Sequence, residues 1–314
     1  MKLKKILAIT LSLTLSVVGL TACGSTKTST TVTEETSVVT QTDEVSSEIT
    51  SETASETTST EEPVTVTLGV VGSVYEELWA PAKTKLAEEG IDLKIQQFSD
   101  YTTPNNALAN GEIDLNAFQH QIYLDTEIAS YGYEIEAIGY TFIIPLNLYS
   151  SKISSVNEIK DGDKIAIPND VTNGGRALKV LEAAGLINIK EDVEFNPTVD
   201  DIETYNVNIE ITQLAANTIP SALEDVTAAI INGNFALDFG LKVEDAIFAD
   251  TSLDESNYWN LIAARSADLE DESKVEIYQK VVKAFQTAET ESIFKENYGG
   301  YFISAGWDKD LLSK

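Results

Sequence analysis

Four short stretches of the sequence collect the side chains best suited to hold a small ligand. FSDYTTPN (98–105) carries Tyr101. FQHQIYL (118–124) sets His120, the chain's single histidine, between Phe118 and Tyr123. IPNDVTNGGRAL (167–178) carries Arg176, and IINGNFA (230–236) carries Asn232. An arginine presents a planar fork of N–H donors and suits a carboxylate as a bidentate pair. Thr172 or Asn173 would cap a helix whose first N–H groups, with Arg176, favour an anion. The Asn232 carboxamide offers donors and acceptors to an ammonium or a carboxylate. Tyr101, Phe118, His120 and Tyr123 supply ring faces and edges, a lining for an apolar or thioether side chain. A ligand that is zwitterionic at one end and soft at the other, an amino acid such as methionine, fits this set.

Each residue also has a plainer reading. Phe118 on an alternating strand belongs as readily to a core. Arg176 can pair with Asp170 or another acid, and Asn232-Gly233 can be a turn. A lone histidine is more often structural than functional. The joint arrangement carries more than any member.

Other chemistry finds little support. The sequence has no G-x-x-x-x-G-K-[ST] loop, no H-E-x-x-H and no G-x-S-x-G elbow. One histidine and one cysteine do not make a usual zinc site. The DGD at 161–163 lacks the further ligands of a calcium loop. No cofactor and no metal is expected. Acidic residues are everywhere and no carboxylate pair stands out, so an enzyme is the weaker class.

The elements that must position these residues follow from periodicity. Residues 64–73 pass from alternating Val and Thr into a continuous apolar run, a strand entering a buried sheet. Residues 74–90 read as a helix, with Leu78, Ala82 and Leu86 on one face and Gly90 as its stop. Strands are predicted at 91–98 and 112–118, with a short helix at 103–111 between them. The order β-α-β-α-β with short connections predicts a parallel α/β sheet. The middle repeats this character: strands at 140–150, 163–170, 207–214, 226–234 and 258–266, and helices at 174–186 and 219–225. Residues 272–289 form an amphipathic helix, with Val275, Tyr278, Val282 and Phe285 spaced along one face. All four ligand stretches then fall at carboxyl ends of strands, where open α/β sheets place their sites.

The N-terminus addresses the chain. Lys2, Lys4 and Lys5 precede an apolar run over 6–20, a secretory signal too short for a stable membrane span. The run ends in Leu20-Thr21-Ala22-Cys23, a pattern like a bacterial lipobox, and Cys23 is the only cysteine. A lone thiol there reads as a lipidation site, each buried methylene contributing about 0.8 kcal/mol to membrane anchoring. Residues 24–63 are mostly Ser, Thr and Glu with no aromatic residue. They predict a disordered tether spanning roughly 35 Å if it is a flexible coil. The formal charge of −30 becomes −33 once the three signal lysines are lost. That balance argues against nucleic acid and against direct docking on anionic lipid.

Four stretches resemble the methionine-binding lipoproteins of bacterial ABC importers, the NlpA lipoprotein family. They are FSDYTTPNNALANGEIDLNAFQHQIYLD, IPNDVTNGGRAL, IINGNFAL and NYGGYFISAGW. The resemblance runs from about residue 64 to Trp307, together with the lipobox. It implies an α/β, two-lobed type II periplasmic-binding-protein fold with two crossover segments, IPLNLYS and YWNLIAAR. The expected division is a signal peptide at 1–22, a lipidated Cys23 and tether at 23–62, one lobe from 63–146 with 262–314, and a second from 147–261. By resemblance Tyr101, Phe118, His120 and Tyr123 fall on the side-chain pocket, Arg176 on the carboxylate clamp, and Asn232 on a head-group contact. Asn147 falls on a hinge-side contact, and Tyr258 and Asn260 are further carry-overs. Val171 stands where the family often has proline, which frees a backbone φ before Arg176. AANTIPSAL lacks the family's Pro-Arg. The implied role is a lipid-anchored monomer on the extracytoplasmic face that delivers methionine to an ABC permease. Alternatives are another apolar amino acid, a methionine derivative or a short peptide as cargo, an enzyme on the same fold, or an adhesin without a pocket.

Overall fold

The computed structural model describes residues 62–193 and 195–313. The expected signal peptide, the lipidation site at Cys23 and nearly all of the tether lie outside the described residues.

The chain begins with β1 (Val64–Val71), α1 (Val74–Leu78), α2 (Ala80–Glu88), β2 (Ile91–Phe98), α3 (Pro104–Ala109), β3 (Leu115–Asn116), α4 (Gln121–Tyr131), β4 (Ile135–Tyr140) and β5 (Phe142–Ile143). It crosses to β6 (Leu146–Tyr149), β7 (Lys164–Pro168), α5 (Val171–Ala183), β8 (Ile187–Ile189), β9 (Ile202–Tyr205), β10 (Glu210–Leu214), α6 (Ile219–Ala222), β11 (Ala228–Asn232), α7 (Gly233–Asp238) and β12 (Ala246–Phe248). It then returns through β13 (Leu261–Arg265), α8 (Glu272–Phe285), α9 (Ala288–Glu296) and β14 (Ile303–Ser304).

Two mixed five-stranded sheets result among the described residues, ordered β2-β1-β3-β13-β4 and β10-β7-β11-β6-β12. The expected parallel sheets are therefore corrected in one respect. β13 runs antiparallel to β3 and β4, and β6 runs antiparallel to β11 and β12. The reason is where these two strands start. Asn232, at the end of β11, pairs with Leu146, at the start of β6. Tyr140, at the end of β4, pairs with Leu261, at the start of β13. A strand entered from the other lobe begins at the cleft edge, where native strands end, so it must run backwards.

Local sequence accounts for most boundaries. The helix expected over 74–90 breaks at Trp79 because Pro81 has no N–H and its ring crowds the preceding turn. Its apolar face nonetheless lies as expected, with Leu78, Ala82 and Leu86 buried against Tyr278, Val281 and Phe285 of α8. The second lobe has its own core, from Leu146 and Leu148 through Ile165 and Ile167 to Leu178, Leu181 and Ile230. A third apolar cluster joins the two, with Val71, Phe118 and Tyr123 packed among Tyr149, Ile219 and Phe235.

α5 begins with Asp170 as its cap, whose carboxylate accepts the Asn173 N–H at 2.9 Å. The cap expected at Thr172 or Asn173 thus sits two or three residues earlier, since both of those already lie in the helix. Two consecutive glycines in a helix interior are unfavourable by propensity alone. Here they admit neighbouring backbone. A Cβ on Gly175 would lie 2.7 Å from Asn196 Cα, and one on Gly174 would lie 2.9 Å from the Pro168 carbonyl oxygen. Glycine to alanine in an open helix usually stabilises by about 1 kcal/mol. Gly175→Ala should instead destabilise by roughly 1–3 kcal/mol through overpacking. Urea denaturation reads the sign directly, and a stabilised variant would show that the 195–197 loop does not lie on α5.

Candidate functional site

The strand ends of the two sheets close on a cavity of about 420 Å³, counted with its mouth. Tyr101, Phe118, His120, Tyr123, Arg176 and Asn232 all line it, and so does Asn260. The first four come from the first lobe and Arg176 and Asn232 from the second, while Asn260 lies on the returning crossover just before β13.

The aromatic part is built on the segments after β2 and β3. Tyr101 stacks on Phe118 at 5.9 Å between ring centres, meets Tyr123 edge-on at 6.2 Å and touches Phe235 of the second lobe at 4.9 Å. The Tyr123 hydroxyl donates to the Tyr101 carbonyl at 3.0 Å. A triad of buried carboxamides holds the segment in place. Asn105 and Gln119 exchange hydrogen bonds at 2.8 and 2.7 Å, and Asn116 joins both at 2.9 Å. Each member satisfies the others, so none costs an unpaired polar group.

His120 caps α4: its Nδ1 accepts the Tyr123 N–H at 3.2 Å. Nδ1 therefore carries no proton. Nε2 carries it and donates across the cleft to Asn173 Oδ1 at 3.3 Å. Both ring nitrogens are thus committed, which leaves no lone pair for base chemistry.

The polar part follows from Asp170. Its carboxylate can only accept, so Asn173 must turn Nδ2 towards it, at 3.0 Å. Asn173 Oδ1 then faces His120 Nε2 and also Asn232 Nδ2, the latter at 2.9 Å. Asn232 is left with its Oδ1 buried and without a partner among the described residues. A buried acceptor facing a cavity is a place for an N–H from a ligand. Glycine at 233 lets the crossover approach this strand end, because a Cβ there would lie 2.4 Å from the Ile144 side chain.

Arg176 is buried on the same wall. Its Nη2 donates to Asp250 at 2.5 Å and to the Ile144 carbonyl at 3.1 Å, and its Nε donates to Ser252 Oγ at 3.1 Å. The guanidinium lies over the Tyr258 ring at 4.5 Å. A guanidinium has five N–H donors, and the two on Nη1 have no protein partner among the described residues. The bidentate fork expected for a ligand carboxylate is therefore corrected: the fork is used by the protein, and a ligand can meet Nη1 only. The Asn260 carboxamide likewise has no hydrogen-bond partner among the described residues and lines the same cavity.

Asn147 does not line the cavity. Alternation along β6 turns Leu146 to the opening and Asn147 away, where its Oδ1 accepts the Asp250 N–H at 2.9 Å. Tyr258 stands one layer back, behind Arg176 and against His120. Sequence reading missed Tyr75 and residues 144–146 as lining, and it missed Asp250 altogether. Tyr75 sits on a helix face indistinguishable from core. Asp250 lies in an acidic loop, 74 residues from its arginine. Among the described residues no group of three or more His, Cys, Asp or Glu is placed to hold a metal ion.

Electrostatics fix the state of the imidazole. Burial, and then the nearby Arg176 charge, push the His120 pKa down to about 3. An unfolded histidine titrates near about 6.5. Below that pH the unfolded chain gains a proton that the native chain refuses. His120 therefore opposes folding as pH falls from about 6.5 towards about 3, and is neutral in this balance above it. The stability of His120→Gln should fall less steeply than that of the wild type between about pH 6.5 and about pH 4. Parallel curves in denaturant titrations across that range would sink the neutral-imidazole assignment.

The chain is also similar to known proteins along most of its described length. The family model for NlpA lipoproteins matches residues 66–306. A Vibrio cholerae protein named probable D-methionine-binding lipoprotein MetQ is 40% identical over 245 residues, covering 77% of this chain and 88% of that protein. A nutrient-binding protein from Burkholderia cenocepacia, solved bound to methionine, superposes with a TM-score of 0.71 at 36% identity, covering 76% of this chain and 99% of the other. The substrate-binding protein of a methionine transporter from Streptococcus pneumoniae gives 0.73 at 32% identity, covering 77% and 95%. With a match over most of its length and a two-lobed α/β fold in common, the chain belongs to the NlpA lipoprotein family.

Proposed function

We propose that the chain is a substrate-binding lipoprotein that captures methionine between its lobes and hands it to an ABC permease. The observation that carries this is the pairing of two unspent groups on one buried wall. Arg176 keeps Nη1 for a carboxylate, and Asn232 keeps Oδ1 for an ammonium. The ring cluster of Tyr101, Phe118 and Tyr123 then takes the thioether. The names of the relatives, MetQ and the methionine-transporter protein, point to the same cargo.

In this reading residues 1–22 are removed as a signal and Cys23 carries the lipid. Residues 23–62 stand the domain off the membrane. No helix of the described residues is long and apolar enough to cross a membrane. One lobe takes 63–146 and 262–314, the other 147–261. Asn147 serves the crossover behind the wall. The chain binds and does not catalyse, since His120 acts as a neutral wall and a bridge between lobes. A ligand that touches both lobes favours the closed arrangement by its differential affinity for it.

The test is calorimetric titration with L- and D-methionine, after unfolding and refolding the protein to strip retained ligand. One-to-one binding is expected. Arg176→Ala should weaken it roughly 100-fold or more, because a charged hydrogen bond is lost and Asp250 is left unpaired. Asn232→Ala should weaken it about tenfold, and His120→Gln least. No heat from either enantiomer at two temperatures would overturn methionine as cargo. Equal affinities for the wild type and a folded Arg176→Ala variant would overturn the clamp.

A further inference from the structure

We propose that Asp250 sets the charge type of ligand the cleft accepts, neutralising Arg176 from behind so that a carboxylate lacking an ammonium is excluded. This rests on reading Arg176 as the carboxylate site.

Arg176 is the one charged side chain among the described residues that line the cavity. Two carboxylates stand one layer behind the cavity wall, Asp250 against Arg176 and Asp170 against Asn173. Asp250 is 0% exposed in its side chain, and it is saturated by protein donors. Its Oδ2 accepts from Arg176 Nη2 and from the Leu146 N–H, and its Oδ1 accepts from the Ser252 N–H and hydroxyl. It has no direction left in which to meet a ligand. Burial works against its ionised form, but Arg176 and the Ser252 hydrogen bonds outweigh that and hold its pKa below the usual carboxylate value. Asp170 stands behind Asn173, at the part of the wall where Asn232 Oδ1 awaits a donor.

With both acids ionised, Arg176, Asp250 and Asp170 together carry a single negative charge; burial raises the Asp170 pKa, and hydrogen bonds from Asn173 and Thr172 work against that rise. A zwitterion leaves that charge unchanged and places its ammonium on the side of Asp170. A bare carboxylate adds a second negative charge in a closed, weakly screened cavity, where like charges repel most strongly. Without Asp250, Arg176 would be an uncompensated buried cation, and any carboxylate of suitable shape would satisfy it. Asp250 therefore lowers affinity for carboxylates in general and raises selectivity for amino acids, a repulsive element against the wrong partner.

The test compares methionine with 4-(methylthio)butanoate, which keeps the thioether and carboxylate and lacks the ammonium. Both are titrated into refolded wild type and Asp250→Asn. The wild type should prefer methionine strongly, and the preference should shrink roughly tenfold or more in the variant. An unchanged preference in a variant that still binds methionine overturns the proposal and leaves methionine capture intact. Loss of methionine binding by the wild type overturns the underlying reading instead. Since Asn at this position mismatches several donors, a second measurement uses wild type alone. Binding of the butanoate, titrated in two buffers of different ionisation enthalpy, should take up a proton, on Asp170, whose pKa burial already raises, or on the ligand carboxylate itself, and should weaken as pH rises. Methionine should take up none. Butanoate binding without proton uptake, at an affinity equal to that of methionine, overturns the proposal whatever the variant does.

Discussion

The arrangement around the cleft depends on one buried ion pair, Arg176 with Asp250. Isolated ions are costly to bury, and removing one partner from such a pair strands the other at about 3–5 kcal/mol. The pair is tolerated because most of its remaining hydrogen-bonding capacity is met by the outgoing crossover and the loop after β12. Ile144 and Leu146 on that crossover, and Ser252 in that loop, all bond to it. Asn147 adds a bond to the Asp250 backbone. The side chain that carries the one charge on the cavity wall thus also ties the outgoing crossover to α5, so each fixes the position of the other.

The sheets deliver the remaining residues to the same place. Strands of both lobes end at the cleft, so the segments after β2, β3, β7 and β11 present Tyr101, Phe118 with His120, Arg176, and Asn232 in turn. The two reversed strands start there, which brings residues 144–146 and Asn260 to the same opening. Strand direction and site composition therefore have a single cause, the crossing of the chain between lobes.

This explains what could be read from the sequence. Residues carried by a strand end or a helix start announce themselves locally, and Tyr101, His120, Arg176 and Asn232 were legible for that reason. The period of α8 and the face of Leu78, Ala82 and Leu86 were equally plain. Partnerships across many residues were not. Asp250 looks like one more acid in an acidic chain, and the triad of Asn105, Asn116 and Gln119 looks like a polar loop until the fold stacks it. The reversed strands escaped because direction depends on which lobe a strand is entered from, and hydrophobic alternation carries no sign. β4 and the short strands β8, β9 and β12 had too few alternating residues to stand out.

The lobes also meet through bonds that involve neither the cavity's unpartnered groups nor the hinge. Asp238 at the end of α7 accepts from the Ser73 and Val74 N–H groups and the Ser73 hydroxyl. The Tyr101 hydroxyl donates to Asn234, Asn234 to the Val71 carbonyl, and Asn217 to the Ser99 carbonyl. A molecule enclosed behind these contacts escapes only when they part together. Seam contacts that hold the lobes together then slow escape and raise apparent affinity at once, because both depend on the population of the closed arrangement. A mutation at Asp238 would act through that population, and one at Asn232 through the wall of the cavity.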